Sequence, residues 1–235
     1  MNKNNILDLI FPPRCPMCDE VMVYGGGHLC GRHSRLPYVE EPVCMKCGKT
    51  ITDETQELCR DCSEKKKSYI KCFPIFNYVE PVRGSVLRVK YNNRREYLDY
   101  YSQEMLRKLY PIIRQVRIDG LVPVPIHNRK LKERGFNQAA ELAVRLSKLT
   151  NIPVYDRLLI REEYTAPQKQ LGHEARYKNI KGAIRTDQIQ STLDTVILID
   201  DIYTTGATAE ECTKALHAAG IANVYVAVIC IGAGE

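Results

Sequence analysis

No apolar run in this 235-residue chain approaches the ~18 residues that a membrane-spanning helix requires. Its first nine residues hold one lysine and an aspartate within a short apolar stretch, without a cleavage-site pattern, so no secretory signal is expected. A P-loop is lacking too. The Gly48-Lys49-Thr50 triplet has Val43 where the first glycine of Gly-x4-Gly-Lys-[Ser/Thr] belongs, and cysteines lie on both sides. These absences argue against an integral membrane protein and a P-loop ATPase, and a cytoplasmic protein is expected. Neither sign of charge dominates. The formal net charge is +6, which favours anionic partners without separating nucleic acid from nucleotide substrates. Charged residues make up 26% and apolar ones 44%, as in ordinary globular proteins.

What the chain does have is ten cysteines, placed unlike a disulfide scaffold. Seven fall between positions 15 and 62, mostly as Cys-x2-Cys pairs, the spacing of a metal site in a reducing compartment. Cys15-x2-Cys18 is followed after eleven residues by Cys30-x2-His33, and Cys44-x2-Cys47 after the same eleven by Cys59-x2-Cys62. Two sets of four thiolate and imidazole ligands suit two tetrahedral Zn²⁺ ions in a pair of zinc ribbons. His28 competes with His33 for the eighth position, although only His33 aligns with Cys62; a pairing of ligands between the two halves also stays open. Gly48 suits a knuckle that needs positive φ, and Gly25-Gly26-Gly27 a turn at the far end of the first ribbon. With few large apolar side chains, this segment cannot fold by burial alone, and metal binding would supply ~10–16 kcal/mol per site. Four protein ligands close each site, so both zinc ions are expected to be structural. Cys72, Cys212 and Cys230 occupy apolar positions and read as buried small hydrophobes.

Residues 5–11 read as a short amphipathic helix ended by Pro12-Pro13. Ser63 to Ser68 is a charged linker whose Lys65–Lys67 run reads as a solvated joint, dividing the chain into residues 1–67 and 68–235. The second unit is organised around Val196-Ile197-Leu198-Ile199-Asp200-Asp201, followed by Ile202-Tyr203-Thr204-Thr205-Gly206-Ala207-Thr208. An unbroken apolar run of this length reads as a parallel strand buried on both faces and ended by two carboxylates. Ala209, Cys212, Leu216 and Ala219 then share one face of a helix that Gly220 stops. In open α/β sheets ligands sit beyond the carboxyl ends of strands, and a helix start attracts anions. A phosphate is therefore expected at Thr204, Thr205, Gly206, Ala207 and Thr208, with a polyol or metal beside Asp200 and Asp201.

Other segments supply the surroundings. Tyr69–Val79 reads as a strand, and Pro81–Lys90 and Glu96–Ile113 as helices, the latter with an apolar stripe of Tyr97, Tyr101, Met105, Leu109 and Ile112. Asp119–Pro125 reads as a strand leading into a basic loop, Ile126–Phe136, which carries Arg129, Lys130, Lys132, Arg134 and Gly135. Such a loop suits a pyrophosphate. A helix from Asn137 to Leu149 follows, with Leu142, Ala143, Leu146 and Leu149 expected to face the sheet. Leu158–Arg161, Lys181–Thr186 and Asn223–Ile231 read as further strands around the central one. Glu162–Asn179 has no steady period.

The acid pair with Thr-Gly-x-Thr resembles the phosphoribosyl-pyrophosphate motif of type I phosphoribosyltransferases. Phe11-Pro12-Pro13-Arg14-Cys15-Pro16-Met17-Cys18, Val122-Pro123-Val124-Pro125, Arg134-Gly135-Phe136-Asn137-Gln138-Ala139 and Thr165-Ala166-Pro167-Gln168 extend the likeness. Together they resemble the ComF family of competence-associated proteins, of the ComFC and GntX type, over nearly the whole chain. The resemblance implies an α/β, type I phosphoribosyltransferase-like fold (Rossmann-like, mainly parallel sheet) behind a small N-terminal zinc-ribbon domain. It also implies a glycosyltransferase-class site in which Asp200 and Asp201 hold ribose hydroxyls, directly or through Mg²⁺, while Thr204–Thr208 wrap the 5-phosphate and Arg134-Gly135 meet the pyrophosphate. A role in uptake or use of external DNA follows from the same likeness, beside a helicase-like ATPase; any single-stranded DNA binding is expected to be electrostatic and without sequence preference, because the candidate contacts are scattered Lys and Arg residues. One departure limits the activity. Where 6-oxopurine phosphoribosyltransferases carry an aspartate that works at the base, this chain has Thr204, which cannot serve as a general base near neutral pH. Phosphoribosyl transfer and a non-catalytic sensor or DNA-handling adaptor are the two resulting expectations, with transfer preferred.

Overall fold

The computed structural model describes residues 12–22, 28–33, 35–161, 183–186 and 193–232. The expected N-terminal helix, the Gly25–Gly27 turn, and the Glu162–Asn179 segment with Thr165–Gln168 lie outside these residues. After a 3₁₀ turn at Gly31–His33, the elements in chain order are α1 (Arg60–Glu64), β1 (Cys72–Asn77), α2 (Val82–Tyr91), α3 (Tyr97–Gln115), β2 (Gly120–Pro123), α4 (Asn128–Arg134), α5 (Gln138–Thr150), β3 (Leu159–Arg161), β4 (Ile184–Thr186), β5 (Thr195–Tyr203), α6 (Ala207–Ala218) and β6 (Asn223–Ile231).

Among the described residues, four strands form one sheet in the order β1-β6-β5-β2, and every pairing in it is parallel. The architecture is thus the expected mixed α/β fold with a parallel sheet, consistent with a phosphoribosyltransferase-like unit. β5 alternates between two cores. Ile197 and Ile199 join Tyr101, Met105 and Leu109 of α3 and Leu142 and Leu146 of α5 on one face. Val196 and Leu198 join Ala209, Cys212 and Leu216 of α6 on the other. Covering both faces explains why the strand has no polar alternation. Cys72, Cys212 and Cys230 are buried in these cores.

Five expectations are corrected. The acid pair does not end β5, which continues to Tyr203 because β6 pairs with it as far as Ile231. Its other neighbour, β2, stops at Pro123 opposite Ile199, so the acids lie past the end of β2, and a crevice opens on that side. Of the strand expected over Lys181–Thr186, the described part Ile184–Thr186 pairs antiparallel with β3 and not with the main sheet. The basic loop is mostly helix. His127 accepts a hydrogen bond from the Arg129 amide, Arg129 pairs with Glu133 one turn on, and Gly135 ends α4 in the left-handed region. Leu149 turns away from the sheet and is exposed. Lys67 is not a solvated joint: it is 4% exposed, and its Nζ donates to the Thr205 carbonyl at 3.0 Å.

The ligand repeat is also a structural repeat. In the first half the Cys15 amide donates to Glu20 O and the Asp19 amide to Cys15 O; in the second, Cys44 donates to Lys49 O and Gly48 to Cys44 O. Asp19 and Gly48, one residue after each Cys-x2-Cys, both have positive φ. The two halves dock differently. Asp19 receives Tyr97 Oη and Arg94 from the α3 side, whereas a Cβ on Gly48 would lie 2.4 Å from Pro74 Cδ of β1. The first half contributes Cys15 and Met17 to the core on the α3 face, and the second contributes Cys44, Cys47, Cys59 and Cys62 to the α6 face. Residues between and within them cover the free edge of β1. The Val39 amide donates to Ile75 O, Asn77 to Pro37 O and Cys72 to Lys46 O, leaving less of that edge open to a foreign strand.

Candidate functional site

Two groups of ligand side chains assemble among the described residues. Cys15, Cys18, Cys30 and His33 form one and Cys44, Cys47, Cys59 and Cys62 the other, the ligand atoms of each group lying within 4.8 Å of one another. Thiolates on a tetrahedral Zn²⁺, at ~2.3 Å from the metal, sit roughly 3.8 Å apart. Cys18 and Cys30 Sγ are 3.6 Å apart, as are Cys47 and Cys59 Sγ. Donor type, number and spacing therefore fit structural zinc. The ligands come from within each half, and His28 stays outside, its ring 6.4 Å from that of Tyr100. Metal analysis of the purified protein is expected to return two zinc ions per chain; a value near one would remove the Cys15–His33 site.

The second group of residues surrounds the crevice beyond β2. Asp200, Asp201 and Thr208 line a cavity of about 150 Å³ together with Lys90, Lys130, Arg134, Arg161 and Gln138. Lys90 Nζ lies 2.8 Å from Asp201 Oδ2, and the Asp201 amide donates to Asp200 Oδ1 at 2.8 Å. Withdrawal from water, reinforced by the Asp201 charge, pushes the Asp200 carboxyl up to about 7. Lys90 is held above its ordinary value: burial works against its charge, but Asp201 outweighs that cost.

Thr204, Gly206, Ala207 and Thr208 bound a smaller recess beside Asp200. Gly206 brings no side chain to cap α6, and apart from the Ala207 amide, which donates to Thr205 Oγ1 at 3.4 Å, the anion-attracting end of the helix opens onto this recess. Gly206 has φ 73°, and a Cβ there would meet Tyr203 Oη at 2.1 Å. That hydroxyl is 2.7 Å from Tyr69 Oη, and both rings belong to the core that contains the second cysteine group. Glu210 of α6 receives both the amide and the hydroxyl of Ser68 at 2.7 Å. The glycine turn is thus braced from below by the second ribbon and its exit segment. Thr205 takes part through its carbonyl, which receives Lys67.

The sequence-derived residues do not all converge. Asp200, Asp201, Thr208 and Arg134 share the larger cavity, whereas Gly135 serves as the α4 cap and does not line it. Arg134 is held by Gln138 Oε1 at 3.1 Å and stacks its guanidinium over Tyr91. Sequence reasoning missed Lys90, Arg161 and Gln138 as site residues, whereas Lys130 belonged to the basic loop expected to meet a pyrophosphate. Gln138 is 4% exposed, and its Nε2 is a buried donor with no partner among the described residues. A buried, unpaired donor in a basic cavity has the chemistry to meet an anionic oxygen. Its place in Arg134-Gly135-Phe136-Asn137-Gln138-Ala139 was the available signal.

These features define a protein with two zinc-fitting ligand groups ahead of an α/β sheet that carries a glycine turn and an acid pair. A family model for the double zinc ribbon domain matches residues 6–63. Competence protein F of Haemophilus influenzae is 28% identical over 194 residues, covering 79% of this chain and 82% of that protein. DNA utilization protein YhgH of Escherichia coli K12 is 26% identical over 226 residues, 94% and 98% of the two chains. Competence protein ComFC of Bacillus subtilis is 26% identical over 192 residues, 78% and 75%. The chain is a homologue of these proteins, and the likeness read from its motifs is shown. Among the described residues no helix is long and apolar enough to cross a membrane.

Proposed function

We propose that the protein binds phosphoribosyl pyrophosphate with Mg²⁺ at the crevice beyond β2 and acts in the cytoplasm in the uptake or use of external DNA. The observation that carries the ligand reading is one cavity combining the Asp200–Asp201 pair and Thr208 with Lys90, Lys130, Arg134 and Arg161. Carboxylates suit vicinal hydroxyls, the uncapped α6 start suits a monoester phosphate, and the cations with Gln138 suit a pyrophosphate. Carboxylate and phosphate oxygens are the ligands Mg²⁺ takes, and the ion would supply charge neutralisation on the pyrophosphate. The DNA role rests on the names of the relatives, which are competence and DNA utilization proteins. Residues 1–67 would form the metal-held unit and 68–235 the ligand-binding one, with single-stranded DNA and a helicase-like ATPase as partners.

For transfer, the bond from ribose C1 to the pyrophosphate oxygen breaks, a bond from C1 to an acceptor forms, and the acceptor's proton leaves to solvent. The chain's own part is to fix the ribose at Asp200 and Asp201 and to spread the leaving charge over Arg134 and its neighbours. Calorimetry with phosphoribosyl pyrophosphate and Mg²⁺ is expected to show binding that falls at least hundredfold in the D200N/D201N variant. Unchanged affinity there would refute the site. A second reading, a sensor without turnover, is favoured by exposed Thr204 at the position where a base-handling aspartate is lacking. Pyrophosphate release that needs both Asp201 and an acceptor, from a panel of bases, nucleotides and DNA, separates transfer from sensing.

A further inference from the structure

We infer that Lys90 is the built-in counter-cation of the acid pair, so that Asp201 holds ligand hydroxyls directly and not through a metal ion. The inference rests on the reading of the crevice as a phosphorylated-sugar site and deepens it.

Lys90 stands in the last turn of α2, far in sequence from β5, yet its Nζ meets Asp201 Oδ2 at 2.8 Å. Each side chain is 14% exposed, so the pair sits in the crevice and not on an outer surface, where such contacts contribute little. The cavity walls carry four cationic side chains, Lys90, Lys130, Arg134 and Arg161, against the two carboxylates. A bare divalent ion entering this field meets net repulsion. It also finds one oxygen of Asp201 already engaged by Lys90. An ammonium has three donors. With one on Asp201, Lys90 retains others for a phosphate oxygen, while the second oxygen of Asp201 remains for a hydroxyl. Lys90 thus links the sugar end of the crevice to its anionic end, as a bridging metal would do elsewhere.

The test uses full-length, zinc-loaded protein with Mn²⁺ as a paramagnetic probe. Electron spin resonance should show K90Q binding one Mn²⁺ at least tenfold more tightly than the wild type, with the gain abolished in K90Q/D201N. K90R, which keeps the charge, should exclude Mn²⁺ as the wild type does, and it decides the matter should K90Q fail to fold: Mn²⁺ uptake by wild type or K90R as tight as Mg²⁺-type carboxylate sites allow, lost on adding D201N, overturns the inference. Equal Mn²⁺ affinity in wild type and K90Q, or a gain that survives D201N, overturns it as well. A calorimetric arm follows phosphoribosyl pyrophosphate. The factor by which Mg²⁺ strengthens its binding should be at least tenfold larger in K90Q than in wild type, and an equal factor counts against Lys90. Failure of the ligand to bind any of these proteins would refute the phosphoribosyl reading, while the Mn²⁺ comparison would still decide the role of Lys90.

Discussion

Cys47→Ser is expected to abolish the second metal site and loosen the Thr204–Thr208 loop, whereas Cys18→Ser in the first ribbon should leave that loop ordered. Both changes remove one thiolate from a four-ligand set, and a structural zinc contributes ~10–16 kcal/mol. That is as large as the whole stability of an ordinary domain, about 5–15 kcal/mol, so neither ribbon can stay folded without its ion. The consequences differ because the ribbons lie on different faces. Cys47 is 1% exposed in the core that holds Tyr69, Tyr203 and Ala209. Next to that ribbon, Lys67 fastens Thr205 and Ser68 fastens Glu210. Cys18 packs near the core containing Tyr97 and Tyr101, away from the loop. Hydrogen exchange should report faster amides across Thr204–Glu210 in Cys47→Ser only. Equal exchange there in both variants would show that the second ribbon does not brace the loop.

The second large effect is expected at Gly206. A non-glycine residue at φ 73° carries about 1–3 kcal/mol of strain. The Gly206→Ala methyl would also sit 2.1 Å from Tyr203 Oη and 2.5 Å from its Cζ. Tyr203 cannot swing aside, because it is 5% exposed and its hydroxyl meets that of fully buried Tyr69. Overpacking of this kind adds roughly 1–3 kcal/mol. Gly220 provides the control. Its φ is 91°, but a Cβ there has nothing within 4 Å, so Gly220→Ala carries backbone strain alone. Denaturant unfolding should therefore place Gly206→Ala below Gly220→Ala, and phosphoribosyl-pyrophosphate affinity should fall at least a hundredfold only in the former. Matching behaviour of the two variants would mean that the contact with Tyr203 has no part in shaping the loop.

Local spacing carried much of this architecture. The Cys-x2-Cys and Cys-x2-His spacings identified the ligands, because two donors with two residues between them can meet one ion on a single turn, but which pairs share an ion was settled only by the fold. The apolar run Val196–Ile199 likewise showed a strand covered on both faces. What stayed illegible depended on neighbours that are distant in the chain. Lys90 stood in the sequence only as the end of an expected helix, and the folded arrangement places it on Asp201. Lys67 sat in a charged run and still became buried, because the Thr205 carbonyl offered it a partner. The continuation of β5 beyond its acids reflects unequal lengths of β2 and β6, which no pattern within β5 records. Gln138 sat in view within a recognisable motif, but its unpaired amide is a property of the space around it.

The covering of β1 by the ribbon segments bears on how the chain is made. Among the described residues, β1 pairs within the sheet only with β6, the last of their strands. About 150 residues separate Asn77 from Asn223, an interval of roughly 7–30 s at ribosomal rates of about 5–20 residues/s. All eight ribbon ligands leave the ribosome ahead of β1. The metal-loaded half can therefore shield one edge of β1 during the wait, as a chaperone would, and present the other edge to β6 when it arrives.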